Sequence, residues 1–424
     1  MSKASVYGYV FSGRVAISAT MIVLFAIVAV VASGSAHGQT FTVIHRFSNG
    51  IDGRNPGGLT IDTSGNLYGV ASSYSGTGNV YELNYTGASW HFNLLYAFQG
   101  GDDGAWPQGK AVLGPDGRLY GTTVFGGGTG CGGNGCGTVY TLKRSPCRSS
   151  NSNCPWTETV LYRFKGGDDA ANPYGALVFD KAGNLYGAAG GGSAGYGTVF
   201  ELAAANSGWN ESLVYTFKGG TDGRGPSELI FDGEDNLYGT TYEGGNLACD
   251  SGYGCGVAFR LAKSGSEWVQ SVLYTFGDGV DGGFPSAGLV FDALGNLYGA
   301  TPYGGDNNSG TLFKLSPSGN SWTFTPLYSF VGPRGGGPQD TLVMDKAGAI
   351  YGTAVSGGAY GAGNVFKLTR LGDIWTYTSS HDFMHTDGYG PQNSIVFDAE
   401  GRLYSTTLEG GDSNDDGVVW QIRP

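Results

Sequence analysis

The residues best suited to acid–base chemistry are one histidine and one aspartate near the C-terminal end of the chain. His385 lies two residues before Asp387, and a histidine beside a carboxylate can act as a general acid and base. Two other histidines are weaker candidates, because His45 and His381 occupy a position of an internal repeat that elsewhere holds tyrosine. The pair keeps an enzyme open as an interpretation.

A short acidic segment is the candidate metal site. Oxygen-bearing side chains alternate along Asp412-Ser413-Asn414-Asp415-Asp416-Gly417, and such spacing before a glycine resembles the first half of a calcium-binding loop. No glutamate follows at the twelfth position, which excludes an EF-hand. The pattern predicts Asp412, Asn414 and Asp416 as calcium ligands, and no other cofactor is expected.

Seven aromatic residues depart from the repeat pattern and are expected in loops. They are Trp106, Phe125, Tyr242, Phe284, Tyr303, Tyr360 and Tyr389. Exposed aromatic rings can stack on the C–H faces of sugars while nearby carboxylates and amides bond the hydroxyl groups. Together with His385 and Asp387 these residues form the predicted ligand site, and a polysaccharide or cell-surface glycan is the expected partner.

The six cysteines form three close pairs along the chain. The pairs are Cys131 with Cys136, Cys147 with Cys154, and Cys249 with Cys255. Zinc is the weaker interpretation, because the spacings are not those of zinc sites and no histidine lies nearby. An even number of cysteines in an exported chain indicates disulfides, which we expect within each pair.

An internal repeat must position all these residues. The segment Asp62-Thr63-Ser64-Gly65-Asn66-Leu67-Tyr68-Gly69 recurs along the chain, and its tyrosine returns at Tyr120, Tyr186, Tyr238, Tyr298, Tyr351 and Tyr404. Each copy contains four short apolar or aromatic runs bounded by glycine, aspartate and asparagine, which indicates four strands. The two longest intervals between copies contain the cysteine pairs, so the cysteines are expected in loop insertions.

Repeated four-stranded units around an axis are typical of a β-propeller. The seventh copy ends after its third strand, and a segment with the pattern of the missing fourth strand lies at residues 43–47. The sequence therefore predicts an all-β fold over residues 39–424: a seven-bladed propeller closed by pairing of residues 41–47 with residues 417–422. Such pairing removes a free strand edge.

The predicted strand order places the unusual residues on one face. With strand one at the channel and strand four outermost, the loops after strands two and four lie on the same face, which we call the loop face. Six aspartates also fall there, each four residues before a proline: Asp52, Asp103, Asp169, Asp222, Asp281 and Asp387. Their regular recurrence favours a structural role in Asp-Gly turns over a ligand site.

The repeat resembles that of the GloVer tandem-repeat family, a group of exported bacterial proteins. The matching elements are Leu-Tyr-x-Phe-x-Gly-Gly-x-Asp-Gly-x-x-Pro, Asp-x-x-Gly-Asn-Leu-Tyr-Gly-Thr-Thr and Gly-Thr-Val-Phe-x-Leu, and they cover about residues 41–424. The Asp-x-x-Gly-Asn-Leu-Tyr core is also similar to NHL-type propeller repeats. The resemblance implies the propeller fold but carries over no catalytic residues.

The first 38 residues are typical of an export signal. Lys3 and Arg14 precede or flank an apolar run over residues 15–32, and small residues follow it, as in a cleavable signal peptide. An uncleaved membrane anchor is the alternative. Without residues 1–38 the chain has 21 basic and 35 acidic residues, a net charge of −14, which argues against nucleic acid and anionic lipid as partners.

These patterns predict a secreted or cell-surface monomer, with the periplasm as another possible location. The expected function is non-enzymatic binding on the loop face, with extracellular glycan as the leading ligand. A polysaccharide-cleaving lyase or hydrolase and a purely structural surface protein are the alternatives, because a fold does not decide a function.

Overall fold

The computed structural model describes residues 39–72, 76–145, 154–206 and 208–423. Phe41–Arg423 forms one compact unit. The predicted signal peptide or anchor over residues 1–38 lies outside the described residues. In the described ranges, no helix is both long enough and apolar enough to cross a membrane.

The strands form seven antiparallel sheets, each of which is one blade. The first strand is β1 (Thr40–Arg46). Blade 1 contains β2 (Arg54–Ile61), β3 (Leu67–Ser72), β4 (Asn79–Tyr85) and β5 (Trp90–Ala97). Blade 2 contains β6 (Gly104–Leu113), β7 (Leu119–Gly126), β8 (Thr138–Arg144) and β9 (Trp156–Arg163).

The first strand of blades 3 and 4 is split into two pieces. Blade 3 contains β10 (Ala170–Pro173), β11 (Val178–Phe179), β12 (Leu185–Gly191), β13 (Thr198–Ala205) and β14 (Gly208–Thr216). Blade 4 contains β15 (Arg224–Pro226), β16 (Ile230–Phe231), β17 (Leu237–Glu243), β18 (Val257–Ser264) and β19 (Glu267–Thr275). Both pieces pair with the same second strand, so each blade keeps the four-stranded plan.

The remaining blades have short first strands. Blade 5 contains β20 (Val290–Phe291), β21 (Leu297–Thr301), β22 (Thr311–Ser318) and β23 (Ser321–Ser329). Blade 6 contains β24 (Val343–Met344), β25 (Ile350–Ala354), β26 (Asn364–Leu371) and β27 (Ile374–Asp382). Blade 7 contains β28 (Val396–Phe397), β29 (Leu403–Thr407) and β30 (Val418–Arg423). The described helices are single 3₁₀ turns at Cys131–Gly133, Gly220–Asp222, Asp250–Gly252 and Gly332–Arg334.

The predicted closure of the ring is confirmed. In blade 7 the strand order is β28, β29, β30 and then β1 from the other end of the chain. The Phe47 N–H donates to the Gly417 carbonyl at 3.0 Å. The Phe47 side chain is buried with Leu59 and Tyr81 of blade 1 and Tyr404 and Val419 of blade 7. The closing strand therefore packs against both neighbouring blades.

The glycine that opens each third strand is required by the next blade. Gly417 has a φ of 92°, in the left-handed region that glycine tolerates best. A Cβ added there would lie 2.7 Å from Cδ of Pro56, closer than a methyl group can pack. The repeat glycine and the repeat proline thus form one contact between neighbouring blades.

A half-buried aspartate holds the turn between the first and second strands. In blade 5, Asp292 accepts hydrogen bonds from the backbone N–H groups of Leu294 and Asn296, from the Asn296 side chain and from the Tyr298 hydroxyl. Blade 4 repeats these contacts around Asp232. The Asp-x-x-x-Asn-x-Tyr pattern in the repeat is therefore one hydrogen-bonded unit.

Candidate functional site

The residue before the repeat proline adopts a left-handed backbone in every blade. Five blades place asparagine or glycine there, at Asn55, Asn172, Gly225, Gly337 and Gly390, with φ between 46° and 67°. Trp106 and Phe284 take the same position in blades 2 and 5, with φ of 59° and 60°. Asparagine and glycine tolerate this conformation, whereas bulky residues rarely adopt it. Two blades therefore carry aromatic rings at a strained backbone position.

The predicted aromatic residues gather into two clusters that contain these strained residues. The Trp106 ring lies 5.4 Å from that of Phe125, measured between centroids. Phe284 contacts both Tyr242 at 5.4 Å and Tyr303 at 5.7 Å. Trp106, Tyr242 and Tyr303 remain 43%, 39% and 44% exposed. Each cluster therefore offers ring surface to solvent.

The other predicted aromatics lie apart from those clusters. Tyr389 stacks on His385 with 4.4 Å between ring centroids. Tyr360 is highly exposed. The structure thus distributes the predicted ligand residues over several blades of the loop face rather than in one pocket.

A cavity of about 760 Å³ lies where the first strands of the blades, or the segments that lead into them, converge from all seven blades. Trp106 and Tyr242 line it together with Gln108, Gln392 and Asn393. Its lining includes Ser72, Tyr242 and Glu409 from the ends of second strands or the loops after them, so it reaches the loop face. This channel cavity joins two of the predicted aromatic residues to polar groups around the axis.

Two carboxylates in this cavity were not among the predicted site residues. Asp340 Oδ1 accepts hydrogen bonds from the Thr341 N–H at 2.7 Å and the Ser394 hydroxyl at 2.8 Å. Asp340 Oδ2 is shielded from solvent and has no hydrogen-bond partner among the described residues, although Asp340 as a whole is only half-buried. Thr341 Oγ1 donates to Glu228 Oε2 at 2.9 Å. We refer to Glu228 and Asp340 as the channel carboxylates.

The electrostatics of the channel carboxylates are unusual. Burial, reinforced by the negative charge of Glu228, raises the pKa of Asp340 to about 8, against the opposing effects of the Ser394 and Thr341 hydrogen bonds and the positive charge of Lys110. Such a shift often marks a functional site.

A sequence signal for these residues exists but is weak. A buried apolar residue recurs in each blade, either in the first strand or just before its last piece. The residue directly before it is Lys110, Glu228, Thr341 or Ser394 in four blades and Gly58, Ala176 or Gly288 in the other three. At this position of the repeat, charged side chains replace the small residues of other blades. This difference is the sequence feature that could have identified the channel. Asp340 lies one residue earlier, beside Gly175 and Ala287 of other blades in the aligned repeat.

The recurring aspartates of the loop face hold turns, as their regularity indicates. Asp281 accepts hydrogen bonds from the N–H groups of Gly277 and Gly279 and from the Tyr274 hydroxyl. Asp387 is held in the same way by the Met384 N–H and the His381 ring. The carboxylate of Asp387 is therefore engaged within its own turn.

The predicted pairing of His385 with Asp387 is wrong. His385 Nδ1 lies 3.4 Å from Asp415 Oδ1, whereas Asp387 Oδ2 lies 3.1 Å from His381 Nε2. The repeat turn fixes Asp387 to the residue six positions earlier, so the carboxylate is not directed at His385. A histidine–carboxylate pair still exists, but its acid is 30 residues away and both side chains are largely exposed.

The predicted calcium loop presents one buried carboxylate. Asp412 Oδ1 accepts the Asn414 N–H at 2.8 Å, and both residues are exposed. Asp416 is buried and its Oδ2 has no hydrogen-bond partner among the described residues. Burial raises the pKa of Asp416, the positive charge of Arg54 opposes the rise, and neighbouring aspartates add to it. Calcium binding by Asp412, Asn414 and Asp416 remains a prediction.

Two of the predicted disulfides are confirmed. Cys131 bonds Cys136 and Cys249 bonds Cys255, with Cα separations of 5.2 Å and 5.7 Å. Cys154 is also disulfide-bonded, but its predicted partner Cys147 lies outside the described residues. In the part of the chain that the structure describes, Cys249, Cys255 and Asp278 are the one group of three or more His, Cys, Asp or Glu ligands close enough for a metal. The Cys249–Cys255 disulfide removes two thiolate ligands from that group.

Two half-buried glutamates on fourth strands are expected to make stability fall as pH rises. Burial, and after it the negative charge of Asp103 or Asp169, raises the pKa of Glu158 and Glu211 to about 7. Both values exceed those of the unfolded chain, so the folded state binds extra protons between about pH 4.5 and 7. Stability from these groups is present at low pH and is lost across that interval.

Glutamine at both positions should remove this loss. The equivalent residue of blade 4 is Gln270, whose side chain donates to the Asp222 carbonyl at 2.8 Å. With screening taken into account, Glu158→Gln and Glu211→Gln should each raise the free energy of unfolding at pH 8 by about 1 kcal/mol. Urea unfolding from pH 4.5 to 8 measures this, and Gln270→Glu is the reverse control. An unchanged pH slope in the double variant would contradict the assignment.

Comparisons with known proteins find similar solved structures and one matching repeat family. No curated protein matches the sequence. The extracellular domain of a one-component system from B. thetaiotaomicron has 12% identity and a TM-score of 0.52, over 90% of this chain and 40% of that one. A glucose dehydrogenase structure has 15% identity and a TM-score of 0.47, over 91% and 99%. A glucose dehydrogenase-type oxidoreductase from Thermus thermophilus has 13% identity and a TM-score of 0.45, over 91% and 100%.

At 12% identity and a TM-score of 0.52, the similarity to the extracellular domain concerns the fold alone. The sequence match is more informative, because a family model described as the Gloeobacter/Verrucomicrobia repeat matches residues 29–249, 132–325 and 247–424. These three overlapping ranges include every blade of the propeller. The chain therefore belongs to the Gloeobacter/Verrucomicrobia repeat family.

Proposed function

We propose that this propeller is a non-enzymatic binding module for extracellular polysaccharide. The observation that carries the proposal is the left-handed backbone of Trp106 and Phe284. A left-handed conformation costs a residue with a side chain about 1–2 kcal/mol, and five blades reduce this cost by using asparagine or glycine. Retention of large rings at such positions is typical of a functional constraint.

The surroundings of these rings suit a carbohydrate. Trp106 and Tyr242 are exposed and line the channel cavity, so the C–H face of a sugar can stack on them. Gln108, Gln392 and Asn393 in the same cavity supply amide donors and acceptors for hydroxyl groups. The acidic net charge of the chain, −12, favours a neutral glycan over nucleic acid or anionic lipid.

The disulfides support a location outside the cytoplasm, where an extracellular polysaccharide would be met. Disulfides persist mainly in oxidising compartments, and the described chain contains two complete ones in loops of the loop face. We infer that the protein acts as a monomer outside the cytoplasm, secreted, at the cell surface or in the periplasm.

A polysaccharide-cleaving enzyme is the second candidate. His385 lies beside Asp415 and stacks on Tyr389, so a histidine that can exchange protons adjoins an aromatic surface. Incubation of the protein with any bound polysaccharide separates the candidates. Binding without chain shortening supports the binding module, whereas cleavage that His385→Ala abolishes supports the enzyme.

The binding proposal is tested by replacing the two strained aromatic residues with asparagine, the residue that blades 1 and 3 have at the same position. A glycan array identifies the ligand, and Trp106→Asn with Phe284→Asn is expected to weaken its binding by about 1–3 kcal/mol, which is roughly five- to 160-fold. Relief of backbone strain of about 1–2 kcal/mol for each residue should offset the lost ring contacts. The variant should therefore stay folded with nearly unchanged thermal stability.

A matched control is an exposed aromatic residue on the opposite face. Tyr85 ends β4, beside the turn between the third and fourth strands, and is 45% exposed. Tyr85→Asn should leave glycan binding unchanged. Equal binding by the wild type and the Trp106/Phe284 variant would place the ligand elsewhere, and failure of the wild type to bind any glycan would favour a structural role.

A further inference from the structure

Near the axis of the propeller, the channel carboxylates form an arrangement that the proposed glycan site does not explain. Asp340 of blade 6 and Glu228 of blade 4 come from blades that are not neighbours, yet Thr341 Oγ1 donates to Glu228 and the Thr341 N–H donates to Asp340. The Thr341 hydroxyl oxygen itself accepts the Gly288 N–H at 2.8 Å. This chain of hydrogen bonds fixes both carboxylates in the channel cavity.

One oxygen in this arrangement is left without a partner. Asp340 Oδ1 is bonded twice, whereas Oδ2 is shielded from solvent and receives no hydrogen bond from the described residues. A buried carboxylate oxygen without a donor or cation is costly. A second acidic group nearby increases that cost, since like charges repel.

We propose that the channel cavity binds one calcium ion, held by Asp340 Oδ2 and a carboxylate oxygen of Glu228. The remaining ligands would be side-chain oxygens of the cavity, such as those of Gln339, Gln392 and Asn393, which line it with the channel carboxylates. Calcium accepts six to eight oxygen ligands in flexible geometry, whereas magnesium requires a near-ideal octahedron. A wide cavity with carboxylate and amide oxygens therefore fits calcium better than magnesium.

The charged residues around the site set the strength of binding. Lys110 of blade 2 acts electrostatically on Asp340, and Arg54 of blade 1 lines the same cavity. Both cations oppose a bound divalent ion. In their ionised forms Glu228 and Asp340 together supply two negative charges, which the ion would neutralise while giving Asp340 Oδ2 its missing partner.

Calcium titration of the chelator-treated protein, by calorimetry and thermal unfolding, tests the proposal without any glycan. The wild type should bind one calcium ion through the channel and should melt at a higher temperature in its presence, because a ligand that binds only the folded state stabilises it. Asp340→Asn and Glu228→Gln should each weaken this binding more than about tenfold. Lys110→Met should strengthen it about two- to fivefold, because a repelling charge is removed.

The acidic loop of blade 7 supplies the matched control. Asp416→Asn changes a buried carboxylate that does not line the channel cavity and whose Oδ2 has no hydrogen-bond partner among the described residues, and it should leave the channel affinity for calcium unchanged. Circular dichroism at 25 °C verifies that each variant is folded. Loss of binding in Asp416→Asn with retention in Asp340→Asn would assign calcium to the loop and overturn the proposal. Absence of calcium binding by the folded wild type would also overturn it, with no bearing on glycan binding.

Discussion

Replacement of Phe47 by alanine is expected to lower the free energy of unfolding by about 3–5 kcal/mol. The side chain is 1% exposed, and its ring lies 5.4 Å from that of Tyr81. Its cluster joins blade 1 to blade 7, so the substitution leaves a cavity at the closure of the ring. Phe217 occupies the same repeat position inside the chain and is equally buried.

Denaturant unfolding of Phe47→Ala beside Phe217→Ala measures how much the closure contributes. The two variants should be destabilised to a similar extent, because each loses one buried ring between two blades. Ile51→Ala, at a side chain that is 74% exposed, should have no measurable effect. If Phe47→Ala were as mild as Ile51→Ala, the N-terminal strand would contribute little to holding the ring together.

Replacement of Asp232 by alanine should lower the free energy of unfolding by about 2–4 kcal/mol, because it leaves several donors of the turn without an acceptor. The lost bonds come from the Glu234 and Asn236 N–H groups, the Asn236 side chain and the Tyr238 hydroxyl, at 2.7–3.1 Å. Thermal and urea unfolding measure the loss. Glu234→Ala changes an exposed acid in the same turn and should be nearly neutral.

The contribution of Asp232 to the stability of the folded protein should also depend on pH. Burial alone would raise its pKa, but hydrogen bonds from Asn236, Glu234 and Tyr238 outweigh burial, and the pKa is lowered. Because the folded pKa lies below the unfolded value, the stability is present above about pH 4 and is lost as the pH falls through the folded pKa. A wild type and an Asp232→Ala variant that differ equally at pH 2 and pH 7 would contradict this assignment.

The fold could be predicted because its determinants recur locally. The Asp-x-x-Gly-Asn-Leu-Tyr unit forms a self-contained turn, and the permuted fourth strand at residues 43–47 indicates closure without any tertiary information. The turn role of the loop-face aspartates follows from the same regularity. Because the unit repeats, short-range sequence patterns are sufficient to predict the architecture.

The channel carboxylates could not be predicted with the same rules. The first strands are irregular, with register shifts such as that between Pro56 and Leu59, so simple alternation does not show which side chains face the axis. Asp340 and Glu228 are also 112 positions apart in the sequence, and they are linked through Thr341 only because the blades are arranged around one axis. The pairing of His385 with Asp415 could not be predicted for a similar reason, since Asp415 approaches it from the following loop.

The left-handed backbone before the proline could not be predicted from the sequence for a different reason. A residue before proline is biased towards extended conformations, so the sequence alone favours an extended Trp106 and Phe284. The packing of the repeat proline against the preceding blade overrides that preference. The strain at these aromatic residues is therefore visible only in the assembled ring.

The closing strand has a consequence for how the polypeptide could be reconnected. Because Phe47 pairs with Gly417 and β1 lies beside β30, Phe41 and Arg423 lie at the same end of one hairpin-like pair. The covalent gap in blade 7 corresponds to the turn that joins β26 to β27, where Leu371 pairs with Ile374. A short linker between Arg423 and Phe41 would leave every strand pairing intact, and the gap could move to the turn of another blade. The propeller should therefore tolerate circular permutation at the turn between the third and fourth strands of a blade, because such a cut leaves the pairing of every strand unchanged.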